Sequence, residues 1–381
     1  MNLLFVIGSL HGGGAEGVMS TLANEFSSRG HKVTLITSLS DQKYKIRDTV
    51  NLIDCRTWEY DTFKGSMPSR IYKKAANRFK DYHNLKRIIR ETKPDIVMSF
   101  LICWLWQLVL ICKGKIPLVF ADRNAAVFKL GRGDFFIRHV LFKMADVVQV
   151  MSYHDKAYLR NRYKNVVPMA NPLRFPPLTQ EEYDILFSKR KNILAVGRLD
   201  PQKGFGKLII AFSKIADRYP EWDVDLCGED MHGRDYSLVL KKIVSDNNLG
   251  ERIHFIGYHK DVDKVMREHA IFCLSSQHEG FPNVLSEAMA NGMACLSFDI
   301  VTGPHEIILD GLDGMIVEDQ NVEALAEGLS TLIDNRELRY SYGLHAIQNI
   351  SRFNCDTIVN KWERLFANII KKYHEERKCD S

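Results

Sequence analysis

The chain has 381 residues, of which 45% are hydrophobic and 26% charged, with a formal net charge of +5. That length exceeds one ordinary hydrophobic core and argues for two domains, while the composition excludes fibrous, disordered and low-complexity classes. Eight cysteines stand singly at 55, 103, 112, 227, 273, 295, 355 and 379; without CxxC or metal-ligand spacing they read as small core hydrophobes in a reducing cytosol, not disulfides or zinc ligands.

Asn2-Leu-Leu-Phe-Val-Ile7 has no basic leader or cleavage site and reads as a first buried strand. Gly8-Ser-Leu-His-Gly-Gly-Gly-Ala-Glu-Gly17 follows, then a helix marked by Val18, Leu22, Ala23 and Phe26, then a strand over Val33–Thr37. Gly12, Gly13 and Gly14 allow close backbone approach, which suits a loop closing over a diphosphate; a flexible turn is the plainer alternative. The spacing from Gly8 is not GxGxxG, and Thr37-Ser38 stands where a dinucleotide-binding strand would end in an acid. A nicotinamide-dependent oxidoreductase is thereby disfavoured, though it shares the alternating β/α pattern.

Residues 64–93 are the most charge-biased part of the chain. Lys64, Arg70, Lys73, Lys74, Arg78, Lys80, Lys86, Arg87, Arg90 and Lys93 face only Asp81 and Glu91, a local +8 that leaves −3 for the remainder. Ile71, Ala75, Phe79, Tyr82, Leu85 and Ile89 recur at helical spacing, which predicts an amphipathic basic helix. Such a helix is either a solvated face or a contact for an anionic membrane surface or a lipid-linked phosphate. Nucleic acid is the weaker option, since aromatic interleaving is sparse and no recognised motif is present. The apolar run from Ile96 to Cys112 spans 17 residues and contains Ser99 and Gln107. At the short edge of a transmembrane length, it reads as a buried strand over Ile96–Phe100 and then a buried helix.

A strand over Pro117–Phe120 leads to Asp122 and Arg123, where parallel strands place active residues; a structural ion pair fits them equally. Lys129, Arg132, Arg138, His139 and Lys143 continue the basic character before a strand over Val147–Met151. Asn171-Pro172-Leu-Arg-Phe-Pro176-Pro177 breaks both helix and strand. The expected organisation is a domain over 1–172, a second over 173–355, and a closing helix over 356–381 packing back across the domains.

The second half repeats the alternation. Asn192–Gly197 is a strand whose loop carries Arg198 and Lys203, well suited to neutralise a diphosphate, and a helix with Leu208, Phe212, Ile215 and Tyr219 comes after. Strands Val224–Cys227 and Ile253–Ile256 end at Gly228 and at Gly257-Tyr258, the latter a candidate shelf for a base. Between strand-like Ala270–Ser275 and Ala294–Phe298 lies Glu279-Gly-Phe-Pro-Asn-Val-Leu-Ser-Glu287, with a helix expected from Pro282 to Asn291 and Gly292 as its cap. Taken singly, Glu279 and Glu287 are ordinary helix-end charges. At a strand-to-helix turn they flank free N–H groups that attract phosphate, while the carboxylates suit ribose or sugar hydroxyls. His305, in Gly303-Pro304-His305-Glu306, is more often a core or surface histidine than a catalytic one.

Gly12-Gly-Gly-Ala-Glu16, the Val196-Gly-Arg-Leu-Asp-Pro-Gln-Lys203-Gly turn, Glu279-x7-Glu287, Gly303-Pro304-x-Glu306-Ile-Ile and Gly314 together resemble the retaining glycosyltransferases of family 4. The likeness covers nearly the whole chain. It implies an α/β fold of the GT-B kind, two Rossmann-like doubly wound parallel-sheet domains facing a central cleft. Within the family the chain is similar to bacterial transferases that extend undecaprenyl-diphosphate-linked glycans, in which a basic helix of the first domain engages the acceptor's diphosphate. The implied roles are Arg198 and Lys203 on the donor diphosphate, Glu279 on the donor sugar, and the N–H groups of Phe281, Asn283 and Val284, in the turn through Pro282, near the phosphate. Glu287 would hold the ribose and Gly14 the donor phosphates from the opposite domain. Many relatives have a His where Arg123 stands, which opens a role for Asp122 or Arg123 in acceptor handling. The implied donor is a nucleotide sugar, UDP-linked, and the acceptor a saccharide, lipid-linked in the relatives that the chain resembles, in lipopolysaccharide or exopolysaccharide assembly. No Asp-x-Asp metal triad is evident, so no metal is expected. The expected location is cytoplasmic, peripheral on the inner face of the membrane. A non-catalytic sugar-binding scaffold on the same fold would have little use for the Arg198, Lys203, Glu279 and Glu287 set.

Overall fold

The computed structural model describes residues 1–38, 43–55, 67–100, 104–123, 125, 140–230 and 235–379, with backbone alone for 67–76 and 377–379. Lys64, Lys129, Arg132, Arg138 and His139 lie outside the described residues, as do the side chains of Arg70, Ile71, Lys73, Lys74 and Ala75. The chain divides into two compact units, Met1–Arg174 with Cys355–Ser381, and Phe175–Asn354.

The first unit is a seven-stranded parallel sheet of β1 (Asn2–Val6), β2 (Lys32–Thr37), β3 (Asn51–Asp54), β4 (Ile96–Phe100), β5 (Leu118–Ala121), β6 (Val147–Val150) and β7 (Val166–Pro168). Their spatial order is β3-β2-β1-β4-β5-β6-β7, with the winding direction reversing between β1 and β4. Both central strands read as continuous apolar runs because each is covered on two faces, and Leu3 to Ile7 and Ile96 to Met98 are wholly buried. The described helices are α1 (Gly14–Ser28), α2 (Met67–Thr92), α3 (Leu105–Cys112) and α4 (Tyr153–Leu159). The apolar run from Ile96 to Cys112 is thus a strand and an eight-residue helix. Among the described residues no helix is long and apolar enough to cross a membrane.

The expected basic helix is present as α2, but among its described side chains one member of the apolar stripe, Phe79, is not buried. Leu85, Ile88 and Ile89 are buried, whereas Phe79 is 66% exposed. Phe79 keeps the helical spacing without the burial.

The second unit is a six-stranded parallel sheet of β8 (Lys191–Val196), β9 (Val224–Cys227), β10 (Ile253–Gly257), β11 (His269–Leu274), β12 (Ala294–Phe298) and β13 (Met315–Val317). The order is β10-β9-β8-β11-β12-β13, reversing between β8 and β11. Its helices are α5 (Gln180–Phe187), α6 (Phe205–Ser213), α7 (Tyr236–Asp246), α8 (Val262–Glu268), α9 (Asn283–Ala290), α10 (Pro304–Ile307), α11 (Val322–Asp334) and α12 (Arg336–Asn349). The helix expected to run through Ile215 and Tyr219 stops at Ser213; both residues are still buried, one on either side of a 3-10 turn over Ala216–Arg218.

The closing helix, α13 (Cys355–Cys379), belongs with the first unit. Phe366, fully buried, lies 6.3 Å from the Phe5 ring and 5.6 Å from Phe26. Arg29, after α1, donates to Asn360 at 2.6 Å, Asp356 at 2.6 Å and Glu363 at 3.2 Å. The segment that ends the sequence therefore completes the core of the unit that begins it.

Candidate active site

All six strands of the second sheet are parallel, so the loops after β8, β9, β10, β11 and β12 emerge on one edge. In open α/β sheets ligands bind at that edge, where the winding direction reverses. Here the reversal lies between β8 and β11, and the loops after those two strands carry Arg198, Lys203 and Glu279.

The two loops are stitched together. Gln277 N–H donates to Gln202 O at 2.7 Å, the Gln277 amide to Pro201 O at 2.9 Å, and the Gln202 amide to His278 O at 3.0 Å. Ser275 Oγ donates to Lys203 O at 3.0 Å. Backbone lies on backbone at Gly204, where φ is +65° and an added Cβ would fall 1.9 Å from Ser275 O. Gly228, after β9, meets the end of β8 the same way, its hypothetical Cβ 1.8 Å from Gly197 O, while its N–H donates to Gly257 O at 2.8 Å. These glycines are fixed by approach distance as well as by dihedral preference.

On this scaffold Lys203 Nζ sits 2.6 Å from Glu279 Oε1, with side chains 15% and 10% exposed. Ser276 Oγ donates to the same oxygen at 2.8 Å. Arg198 Nε lies 3.2 Å from Asp200 Oδ2, but its side chain is half exposed and its fork can turn toward a ligand. Glu279 is held from behind by Thr302, whose hydroxyl donates to its carbonyl, and Gly303 abuts Pro282. Pro282 is the residue before the first turn of α9 instead of the first within it, and Gly292 at φ +65° follows the helix end. Phe281 is buried edge-on against Phe353, ring centroids 5.5 Å apart. Asn283 and Val284 open α9, whose first N–H groups have no intrahelical acceptor by construction. Glu287 is buried within the helix.

In the first unit the glycine loop holds a feature that the glycine spacing did not reveal. The Glu16 carboxylate accepts from Gly12 N–H at 2.8 Å, from Gly13 N–H and from the Ser9 hydroxyl. The Gly13-x-x-Glu16 spacing, a capping arrangement, was the available signal. Gly14 is the first residue of α1. Arg123 is buried after β5. Its Nη1 donates to Asn171 at 2.6 Å, and its guanidinium stacks 3.7 Å from the Phe100 centroid. Ser276, Asn171 and Phe100 carried no motif of their own, and Gln202 entered only as part of the turn over 196–204.

Two family models match the chain in succession, Glycosyltransferase Family 4 over residues 12–170 and Glycosyl transferases group 1 over residues 180–348. It is a glycosyltransferase. The enzyme is 26% identical to a GalNAc-alpha-(1->4)-GalNAc-alpha-(1->3)-diNAcBac-PP-undecaprenol alpha-1,4-N-acetyl-D-galactosaminyltransferase of Campylobacter jejuni, over 97% of this chain and 99% of that one. It is 29% identical to the amylovoran biosynthesis glycosyltransferase AmsD of Erwinia amylovora, over 94% and 97%. Its fold matches the sucrose-phosphate synthase of Thermosynechococcus elongatus with a TM-score of 0.80 at 17% identity, covering 97% of this chain and 99% of that one. Anabaena HepE in complex with UDP and glucose matches at a TM-score of 0.78 and 19% identity, covering 96% and 99%. The glycosyltransferase thus has the GT-B type of architecture, two Rossmann-like parallel-sheet units, and the family and relative matches set aside the oxidoreductase and non-catalytic scaffold alternatives.

Proposed function

We propose that this glycosyltransferase moves a hexose or N-acetylhexosamine from a UDP-sugar to a lipid-linked glycan, with retention at the anomeric carbon and without a metal. The observation that carries the reading is the Lys203–Glu279 contact at the sheet's reversal point, with Arg198 exposed beside it. As the sugar–phosphate bond breaks, positive charge develops at the anomeric centre and negative charge on the leaving diphosphate. Lys203 and the opening N–H groups of α9 are fixed donors for that diphosphate and Arg198 turns its exposed fork to it, so together they act more strongly on the transition state than on the bound donor. Glu279 turns a carboxylate to the sugar hydroxyls, and Glu287 to the ribose. Gly228, Gly257, Phe281 and Pro282 shape the nucleotide's seat.

The acceptor side is supported by chemistry of two kinds. The Campylobacter relative's name specifies an undecaprenol-linked diphosphate glycan. In this chain α2 presents exposed Arg78, Lys80, Lys86, Arg87 and Arg90 beside the exposed Phe79 ring, a combination suited to an anionic membrane surface. The enzyme would then work peripherally on the cytoplasmic face of the membrane. Titrating UDP-, GDP- and ADP-sugars by thermal shift tests the donor, because a ligand bound only by the folded state raises its midpoint. Stabilisation by UDP-sugars over the other two supports the reading; none by any UDP-sugar overturns it.

A further inference from the structure

The C-terminal edge of the first unit's sheet holds a buried cation that the proposed chemistry has not used. Arg123 is 8% exposed. One guanidinium nitrogen, Nη1, donates to the Asn171 side-chain oxygen, and the plane lies over Phe100. Nε and Nη2 are buried and have no hydrogen-bond partner among the described residues. These two belong to a single edge of the planar group, the side-on fork that matches two oxygens of a phosphate. Burial opposes the charge, and neighbouring Asp122 favours it. The segment bearing Asn171 is itself fixed: Gln149, fully buried, donates to Val150 O at 2.6 Å and Met169 O at 2.9 Å.

Buried arginines are ordinarily held by carboxylates. Here the hydrogen-bonding partner among the described residues is a neutral amide. We propose that Asn171 is a positioning residue, fixing the Arg123 guanidinium without cancelling its charge, so that the Nε/Nη2 fork receives phosphate oxygens of a diphosphate-bearing substrate. The inference rests on the transferase reading above, in which both the donor and a lipid-linked acceptor carry diphosphates, and its test separates the two. A carboxylate at 171 would hold the arginine at least as firmly and would neutralise it.

The full-length wild type, Asn171→Asp and Arg123→Gln are compared by thermal unfolding and by calorimetric titration with UDP and with farnesyl diphosphate. Asn171→Asp is expected to keep or raise the unfolding midpoint while weakening one probe by at least about tenfold and leaving the other within about twofold. Arg123→Gln should reproduce the loss, and it carries the test alone if Asn171→Asp does not fold. Loss confined to UDP assigns the fork to the donor; loss confined to farnesyl diphosphate assigns it to the acceptor. Wild-type affinity for both probes in the variants overturns the proposal, as does a loss that merely follows a lowered midpoint. A wild type that binds neither probe overturns it as well. A wild type that binds farnesyl diphosphate but not UDP refutes the UDP-donor reading and leaves this one standing on its acceptor arm.

Discussion

Lys203→Ala removes half of the Lys203–Glu279 pair and one of two cations assigned to the leaving diphosphate. The gross attraction across 2.6 Å is about 6 kcal/mol at an effective dielectric near 20. Desolvation of two mostly buried groups offsets much of that. The stability cost is set by the carboxylate left behind, and Ser276 continues to donate to it. We therefore expect a loss of about 1–3 kcal/mol, below the ~3–5 kcal/mol of a wholly orphaned buried charge. The effect on the chemical step should be larger, about a hundred- to a thousandfold in kcat. Thermal unfolding and single-turnover kinetics of Lys203→Ala, Glu279→Ala and the double variant separate the two effects. The double variant should regain stability relative to Lys203→Ala, by a coupling of about 1–3 kcal/mol, without regaining rate. Wild-type turnover in both Lys203→Ala and Arg198→Ala would refute the clamp.

Gly204→Ala forces a Cβ onto Ser275 O at a positive φ; it should cost at least about 2 kcal/mol in chemical denaturation and reduce donor affinity with it. Phe366→Ala opens a cavity between Phe5 and Phe26, and an equilibrium unfolding loss of about 3–5 kcal/mol is expected. Turnover should survive EDTA, and abolition restored by added divalent cation would contradict the metal-free mechanism. Burial raises the Cys55 and Cys355 thiols to about 11 and Cys112 to about 12, and pushes Cys227, Cys273 and Cys295 upward too. Each pKa lies above assay pH, so at pH 8 the thiolate fraction is small and rises only with alkalinity. A thiol reagent should therefore find no more than two of the eight cysteines prompt in native protein and all of them in denaturant.

What could be read from the sequence follows from how each element is buried. Strands β1, β4, β8, β9, β11 and β12 are central and covered on both faces, so they announce themselves as apolar runs. The three strands that drew no expectation, β3, β7 and β13, are sheet edges of three or four residues with intermediate or exposed side chains, too short and too polar to leave a period. The site divides in the same manner. The places of Arg198, Lys203 and Glu279 at the sheet's C-terminal edge, and of Glu287 in the helix that follows, were legible because strand–loop–helix order is read from the apolar runs. The hydrogen bonds that aim them were not, since Ser276, Gln202 and Thr302 meet their partners only after the loops fold. Asn171 first drew notice only as the residue before a proline, and its contact with Arg123, 48 positions away, is tertiary.

The central claim is that the loops after β8 and β11 bind a nucleotide diphosphate through Arg198 and Lys203. The most direct measurement is calorimetric titration of UDP into the wild type and into the Arg198→Ala/Lys203→Ala double variant, with unfolding midpoints recorded beside it. The account predicts binding to the wild type and at least about a hundredfold weaker binding to a folded double variant. Equal affinity in the two proteins would contradict it.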